Sequence, residues 1–311
     1  MPMINASAPG PTSVCAVIVS YRPDAGFPDR VAAIHSQVDA IIVVDNASGD
    51  SCHAVFETLK QYEKLILVRN AANFGIAQAL NTGVRVAAQS GYAWALLLDQ
   101  DTSVYPQLLA NLNTVYSDYP EKTRLAVIGT HFHDRHRPRS DTVMDPPPVF
   151  SWQEVDWVIT SGSLISIPVF QAVGPFREDF FIDFVDTEYC LRARRAGFKI
   201  IRTTAELMLH AIGASTRHTI AGMQKWTSNH VPDRRYYITR NYTIMLREAG
   251  NHRWGSWAVM GGLASLKSIK RIVFYERNKA AKLLAVFHGL VDAIRGKTGK
   301  RSTLSIRNPH A

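Results

Sequence analysis
Four short runs of β-branched and apolar residues stand out in the first third of the chain: Val14 to Val19, Ala40 to Val44, Leu65 to Val68 and Ala93 to Leu98. Between them lie segments long enough for helices, Asp29 to Gln37, Ser51 to Tyr62 and Ile76 to Ala88. Such alternation predicts an α/β domain with a parallel sheet and helices on its faces. The second half reads differently. His131 to Pro148, rich in His, Arg, Asp and Pro, reads as an irregular loop. Trp157 to Ile167 is an apolar stretch broken by Thr160-Ser161-Gly162-Ser163, Phe180 to Arg195 reads as a loop entering a helix, and Tyr236 to Arg247 as a further helix.

In a parallel sheet, ligands bind beyond the carboxyl ends of the strands. The residues after the four runs are Ser20-Tyr21-Arg22, then Asp45-Asn46-Ala47-Ser48, then Arg69-Asn70 with Asn73 and Gly75, and Asp99-Gln100-Asp101. Every one of these ends is polar, a concentration that a sheet built only for stability does not need. Asp99 and Asp101 are spaced i and i+2, so in extended backbone both carboxylates face the same way. Two converging carboxylates repel unless a cation lies between them, and a hard divalent ion bridging phosphate oxygens answers that need.

Other chemistries lose their support at the same positions. The first run is followed by no glycine before Gly26, so a dinucleotide turn of the G-x-G-x-x-G type is missing. Gly296-Lys297-Thr298 lies far from any strand and lacks the spacing of a P-loop. His131, His133 and His136 have no cysteine nearby, and a Pro- and Arg-rich loop is a poor platform for tetrahedral zinc.

The 311 residues suffice for one large domain with an appended helical tail. Cys15, Cys52 and Cys190 are too few and scattered for a disulfide framework, which fits a reduced, cytoplasmic setting. Met1 to Ser13 has no basic start or apolar core, and no stretch approaches the ~18 apolar residues of a membrane span. The net charge of +9 is concentrated late, in Lys267, Lys270, Arg271, Arg277, Lys279, Lys282, Arg295, Lys297, Lys300, Arg301 and Arg307. Apolar Ile272, Val273, Leu283, Leu284, Phe287 and Val291 lie between them at helical spacing. A basic amphipathic stretch suits peripheral contact with an anionic membrane. Without a nucleic-acid motif beside it, nucleic acid is not expected as a partner.

Taken together, Val17-Ile18-Val19-Ser20-Tyr21, Val43-Val44-Asp45-Asn46-Ala47-Ser48, Asn70-Ala71-Ala72-Asn73-Phe74-Gly75-Ile76-Ala77 and Leu98-Asp99-Gln100-Asp101 resemble the motifs of glycosyltransferase family 2. The resemblance runs on through Phe181 to Arg192 and His210 to Arg235-Tyr236-Tyr237 and Arg240-Asn241-Tyr242, and in detail is nearest to the bacterial rhamnosyltransferases of that family. It implies a GT-A type nucleotide-diphospho-sugar transferase fold, with a mainly parallel central sheet flanked by helices. A flexible 1–13, a catalytic domain at 14–250 and a basic helical tail at 251–311 are then expected, the domain splitting into a nucleotide-sugar half at 14–101 and an acceptor and catalytic half at 102–250.

The resemblance also implies roles. Ser20, Tyr21 and Asp45 would hold base and ribose, with Asn73, Gly75 and Gln100 in the same pocket and Asp99 near the ribose and diphosphate. Asp101 would ligate Mg²⁺ or Mn²⁺, aided by His210. Asp186 matches the catalytic base and Glu188 a second acid of the same motif, whereas Val185 stands where many relatives carry another acid, leaving the division of labour with Asp183 open. By residue pattern alone, Asp186 also fits a helix N-cap. The activity implied is inverting transfer of L-rhamnose from dTDP-L-rhamnose to a lipid-linked or polysaccharide acceptor, in O-antigen-like synthesis at the inner face of the membrane. Another sugar, such as galactose or N-acetylhexosamine, and a non-catalytic sugar-nucleotide-binding scaffold are the alternatives.

Overall fold
The structure, a computed structural model, describes residues 7–10, 12–136, 151–210, 213, 216–220, 223–249 and 255–301. Two compact units are distinguished, Met1–Arg177 with Val185–His230, and Glu178–Phe184 with Val231–Ala311.

The first unit runs β1 (Val14–Ser20), α1 (Phe27–His35), β2 (Ala40–Asp45), α2 (His53–Glu57), β3 (Leu65–Arg69), α3 (Ile76–Gln89), β4 (Trp94–Asp99), β5 (Ser103–Val104), α4 (Leu108–Asp118), β6 (Leu125–Asp134), β7 (Trp152–Glu154), β8 (Ser163–Ser166), α5 (Ile167–Val173), α6 (Val185–Arg195), β9 (Lys199–His210), β10 (Thr216–Ile220) and β11 (Met223–Thr227). The main sheet has the order β3-β2-β1-β4-β8-β6-β9-β5, with β7 added on β9. Strands β1 to β4 pair in parallel, as their unbroken apolar runs demand: β1, β2 and most of β4 are buried on both faces. Antiparallel β8 lies between β4 and β6, and parallel pairing resumes between β6 and β9. One core joins Phe27, Val31 and Ile34 of α1 and Leu108, Leu112 and Val115 of α4 to Val14, Ile18, Leu96 and Leu98 of the sheet.

Two expectations for the first unit need correction. His131 to Asp134 is not loop but the end of β6, because the sheet supplies a partner: His131 lies opposite Glu206 and Asp134 opposite His210. Residues 137–148 of that expected loop lie outside the described residues. The segment 51–62 is not one helix but α2 flanked by 3₁₀ turns at Asp50–Cys52 and Thr58–Gln61. At its second break, the Thr58 hydroxyl donates to the Val55 carbonyl at 2.7 Å, a local bond that competes with helical pairing.

The second unit holds α7 (Pro232–Ala249), α8 (Gly255–Phe274) and α9 (Lys279–Ile294). Arg240 and Asn241 of α7 are fully buried. The Asn241 amide donates to the carbonyls of Phe180, Ile182 and Asp183, and Arg240 donates to those of Asp179 and Phe180. These bonds hold a turn in which Phe181, Asp183 and Phe184 all take left-handed φ, 64°, 65° and 64°. Lys282, expected on the basic surface, is instead buried, and with Arg235 it brackets the carboxylate of Glu276 at 2.9 and 2.6 Å. Among the described residues no helix is long and apolar enough to cross a membrane.

Candidate active site
Parallel register brings the polar strand ends together. Ser20 lies opposite Asp45, Val19 opposite Asp99, and Asp45 opposite Arg69, so the loops after β1, β2, β3 and β4 border one edge of the sheet.

Each loop is braced by its neighbour. Gln100 accepts from the Tyr21 N–H at 2.7 Å and from the Ser20 hydroxyl at 3.2 Å, and its amide donates back to the Tyr21 carbonyl at 3.0 Å. The Gln100 side chain therefore ties the end of β4 to the end of β1. Asp45 is buried and accepts from both the N–H and the hydroxyl of Ser48, at 3.0 and 2.5 Å, and the Arg22 N–H donates to that same hydroxyl. Arg22 and Ala47 take φ of 51° and 65°, uncommon for residues other than glycine, in the turns beyond β1 and β2.

Asn46 joins the next pair of loops. Its amide donates to Asn73 Oδ1 and to the Gly75 carbonyl, both at 3.1 Å, while its Oδ1 accepts from Asn70 and from the Phe74 N–H. Asn73 in turn accepts from the Gly75 N–H. Gly75, at φ 88°, opens α3 in a conformation that a side chain would strain.

The acidic pair lies beside His210. Its Nε2 is 3.8 Å from Asp99 Oδ2, and its Nδ1 is 3.5 Å from Asp101 Oδ1 and 3.0 Å from the Thr102 hydroxyl. Burial disfavours charge on both Asp101 and His210, yet their mutual hydrogen bond and attraction prevail. The Asp101 carboxyl is held below its ordinary range and the His210 imidazole is raised above its own. Arg135 sits close by, its guanidinium donating to the Asp101 carbonyl at 2.5 Å.

The chemistry of this donor set suits a divalent ion. Ligand atoms of Asp99, Asp101 and His210 lie within 4.8 Å of one another, on partly buried side chains. Two hard carboxylates and one imidazole suit a divalent cation.

Asp186 joins this group through a single turn. Its Oδ2 accepts from the Thr160 N–H at 3.0 Å. The hydroxyl of the next residue, Ser161, accepts from the Asp99 N–H at 3.1 Å and bonds the Thr102 hydroxyl at 2.6 Å. Gly162 completes the turn at φ 76°, and a Cβ there would stand 2.3 Å from Thr130 Oγ1 and 2.5 Å from Met208 Sδ. Asp186 lies inside the first turn of α6, one residue beyond its start at Val185, so the N-cap expectation is corrected. Glu188, two residues on, forms a two-pronged pair with Arg192 at 2.9 and 3.0 Å, and Arg192 holds the carbonyls of Val173, Gly174 and Pro175. In the second unit, Asp183 is paired with Arg234.

Reading the sequence missed Thr102, Arg135 and the Thr160-Ser161 turn as parts of this site, and named Asn46 only as one of the polar residues after β2. The polar break in the apolar stretch 157–167 was the available signal for that turn.

The mixed sheet with its flanking helices has the GT-A type of fold, and Asp99, Asp101 and His210 lie together at the ends of its strands. Residues 15–163 match the model of glycosyl transferase family 2, and the chain is a glycosyltransferase. It is 29% identical to the dTDP-rhamnosyl transferase RfbF of Shigella flexneri, over 93% of this chain and 97% of that one. Among solved structures, it resembles the mannosyltransferase PcManGT of Pyrobaculum calidifontis in complex with GDP-Man and Mn²⁺, at 15% identity and TM-score 0.57, covering 94% of this chain and 90% of that one. It also resembles S. aureus TarS 1-349 in complex with UDP-GlcNAc, at 13% identity and TM-score 0.55, covering 92% and 82%.

Proposed function
We propose that this glycosyltransferase moves L-rhamnose from dTDP-L-rhamnose to a lipid-linked or polysaccharide acceptor, in assembly of an O-antigen-like cell-surface glycan at the inner face of the membrane. The observation that carries the reading is the cluster of Asp99, Asp101 and His210, tied to Asp186 by the Thr160-Ser161 turn. The choice of rhamnose rests on the similarity to a dTDP-rhamnosyl transferase along nearly the whole chain.

In this reading the loops carrying Ser20, Tyr21, Asp45, Asn73 and Gly75 enclose the nucleotide, and Gln100 keeps two of them in place. Asp101 and His210, with Asp99 beside them, would hold Mg²⁺ or Mn²⁺, a Lewis acid that neutralises charge on a departing diphosphate. A sugar hydroxyl is a weak acid, so the attacking acceptor needs a carboxylate to take its proton, and Asp186 is assigned that role. Attack assisted by one base displaces the nucleotide directly and inverts the anomeric centre, unlike the paired-carboxylate double displacement of retaining glycosidases. Glu188 is assigned to support this base, through its hold on Arg192.

Thermal shift with a panel of nucleotide sugars and Mg²⁺ tests the donor, since a ligand that binds only the native state raises its apparent stability. dTDP-rhamnose should raise the melting temperature most. A shift with UDP-N-acetylglucosamine or GDP-mannose and none with dTDP-rhamnose rejects rhamnose. Donor binding without slow hydrolysis of the bound donor would favour the scaffold instead.

A further inference from the structure
We infer that the outward faces of α8 and α9 form a docking surface for an anionic lipid bilayer, an inference that builds on the membrane-side placement proposed above. On α9 the inward residues are Lys282, Ala285, Gly289 and Ala293. A second stripe, Leu283, Phe287, Leu290 and Ile294, recurs at the same helical spacing but faces solvent, with Phe287 58% and Ile294 62% exposed. On α8, which packs on α9, Ile272 is fully buried while Leu266 and Phe274 on the other side are 66% and 64% exposed. A helix that is apolar on both faces keeps one of them for a partner.

The charges on these helices identify that partner. Exposed Lys267, Lys270 and Arg271 lie among the apolar residues of α8, and Arg277, Lys279 and Arg295 stand at the ends of α9. From Gly255 to Arg301 the acids are Glu276 and Asp292. Glu276 is buried between Arg235 and Lys282, and Asp292 is bonded to the Tyr236 hydroxyl and to Lys297. A second copy of the chain would set this cationic surface against itself, which two-fold pairing disfavours. Anionic headgroups above an acyl layer complement both its charge and its apolar side chains.

Co-sedimentation of the full-length protein with vesicles tests this, using phosphatidylcholine alone and phosphatidylcholine mixed with phosphatidylglycerol. The wild type should bind the mixed vesicles preferentially, and less so as salt rises. Phe287→Ser with Leu290→Ser should weaken binding by roughly 100-fold, since each side chain gives up its burial in the acyl layer. Leu266→Ser with Phe274→Ser, on the other helix, provides an independent pair should the first fold poorly. Lys267→Gln, Lys270→Gln and Arg271→Gln together should abolish the preference for phosphatidylglycerol, at about five-fold per charge. Undiminished vesicle binding by both apolar pairs overturns the inference, as does a wild type that ignores the mixed vesicles. Self-association of the wild type that the same substitutions abolish overturns it in favour of a second copy. Hydrolysis of dTDP-rhamnose without vesicles reads the transferase assignment separately, so either can fail alone.

Discussion

The backbone N–H of Thr160 donates to the carboxylate of Asp186 at 3.0 Å. The next residue, Ser161, bonds the backbone of Asp99. A two-residue turn thus sets the distance between the acid of α6 and the acid pair at the end of β4.

Asp186→Asn preserves size and can still accept the Thr160 N–H, but it takes no proton. Affinity for dTDP-rhamnose should survive while the chemical step slows by roughly 10²–10⁴-fold. Glu188→Gln, which loosens the pair with Arg192, should lower stability more than it lowers rate. Single-turnover kinetics alongside denaturant melts checks both. A near-normal rate in Asp186→Asn with an inactive Glu188→Gln would move the base two residues along.

Asp101→Ala removes one of the three converging side chains and the partner of His210. The fold should persist, and Mg²⁺ should no longer strengthen binding of dTDP. Calorimetric titration with and without Mg²⁺ measures this, and metal-enhanced binding retained in the variant would exclude Asp101 as a ligand.

Gly162→Ala should be severe for so small a change. The added methyl meets Thr130 and Met208 at less than contact distance, on backbone at φ 76°. Overpacking and left-handed strain together amount to about 2–5 kcal/mol, read as a shift of the denaturant midpoint. A variant within ~0.5 kcal/mol of wild type would show that this turn relaxes freely.

Glu276→Gln leaves Arg235 and Lys282 buried together without their shared carboxylate. Breaking a buried ion pair in this way costs about 3–5 kcal/mol. Replacing all three residues with apolar ones of similar volume should be nearly neutral by comparison. Urea unfolding of the two variants checks both, and a mild effect of Glu276→Gln would mean that water reaches the cations.

How much of this was legible in the chain depends on how local each feature is. Runs such as Val14 to Val19 and Ala93 to Leu98 announced parallel strands, because a strand buried on both faces has no room for polar residues. Their first polar residues, Ser20, Asp45 and Asp99, therefore had to fall at the ligand-binding end of the sheet. The strand ends at Asp99, however, and Asp101 comes beside it through a turn that the Thr102 N–H closes on the Asp99 carbonyl, not through strand alternation. Tertiary structure decided the rest. His131 to Asp134 became strand only because β9, far along the chain, supplied its hydrogen bonds. His210 reached the acid pair because β9 also pairs with β5, which sets Leu209 opposite Ser103. Gln100 carried no mark that its amide would close on Tyr21, nor Lys282 that it would be buried against Glu276. Periodicity tells which residues leave water; which partners they meet there depends on contacts between distant segments, and those form only when the chain folds.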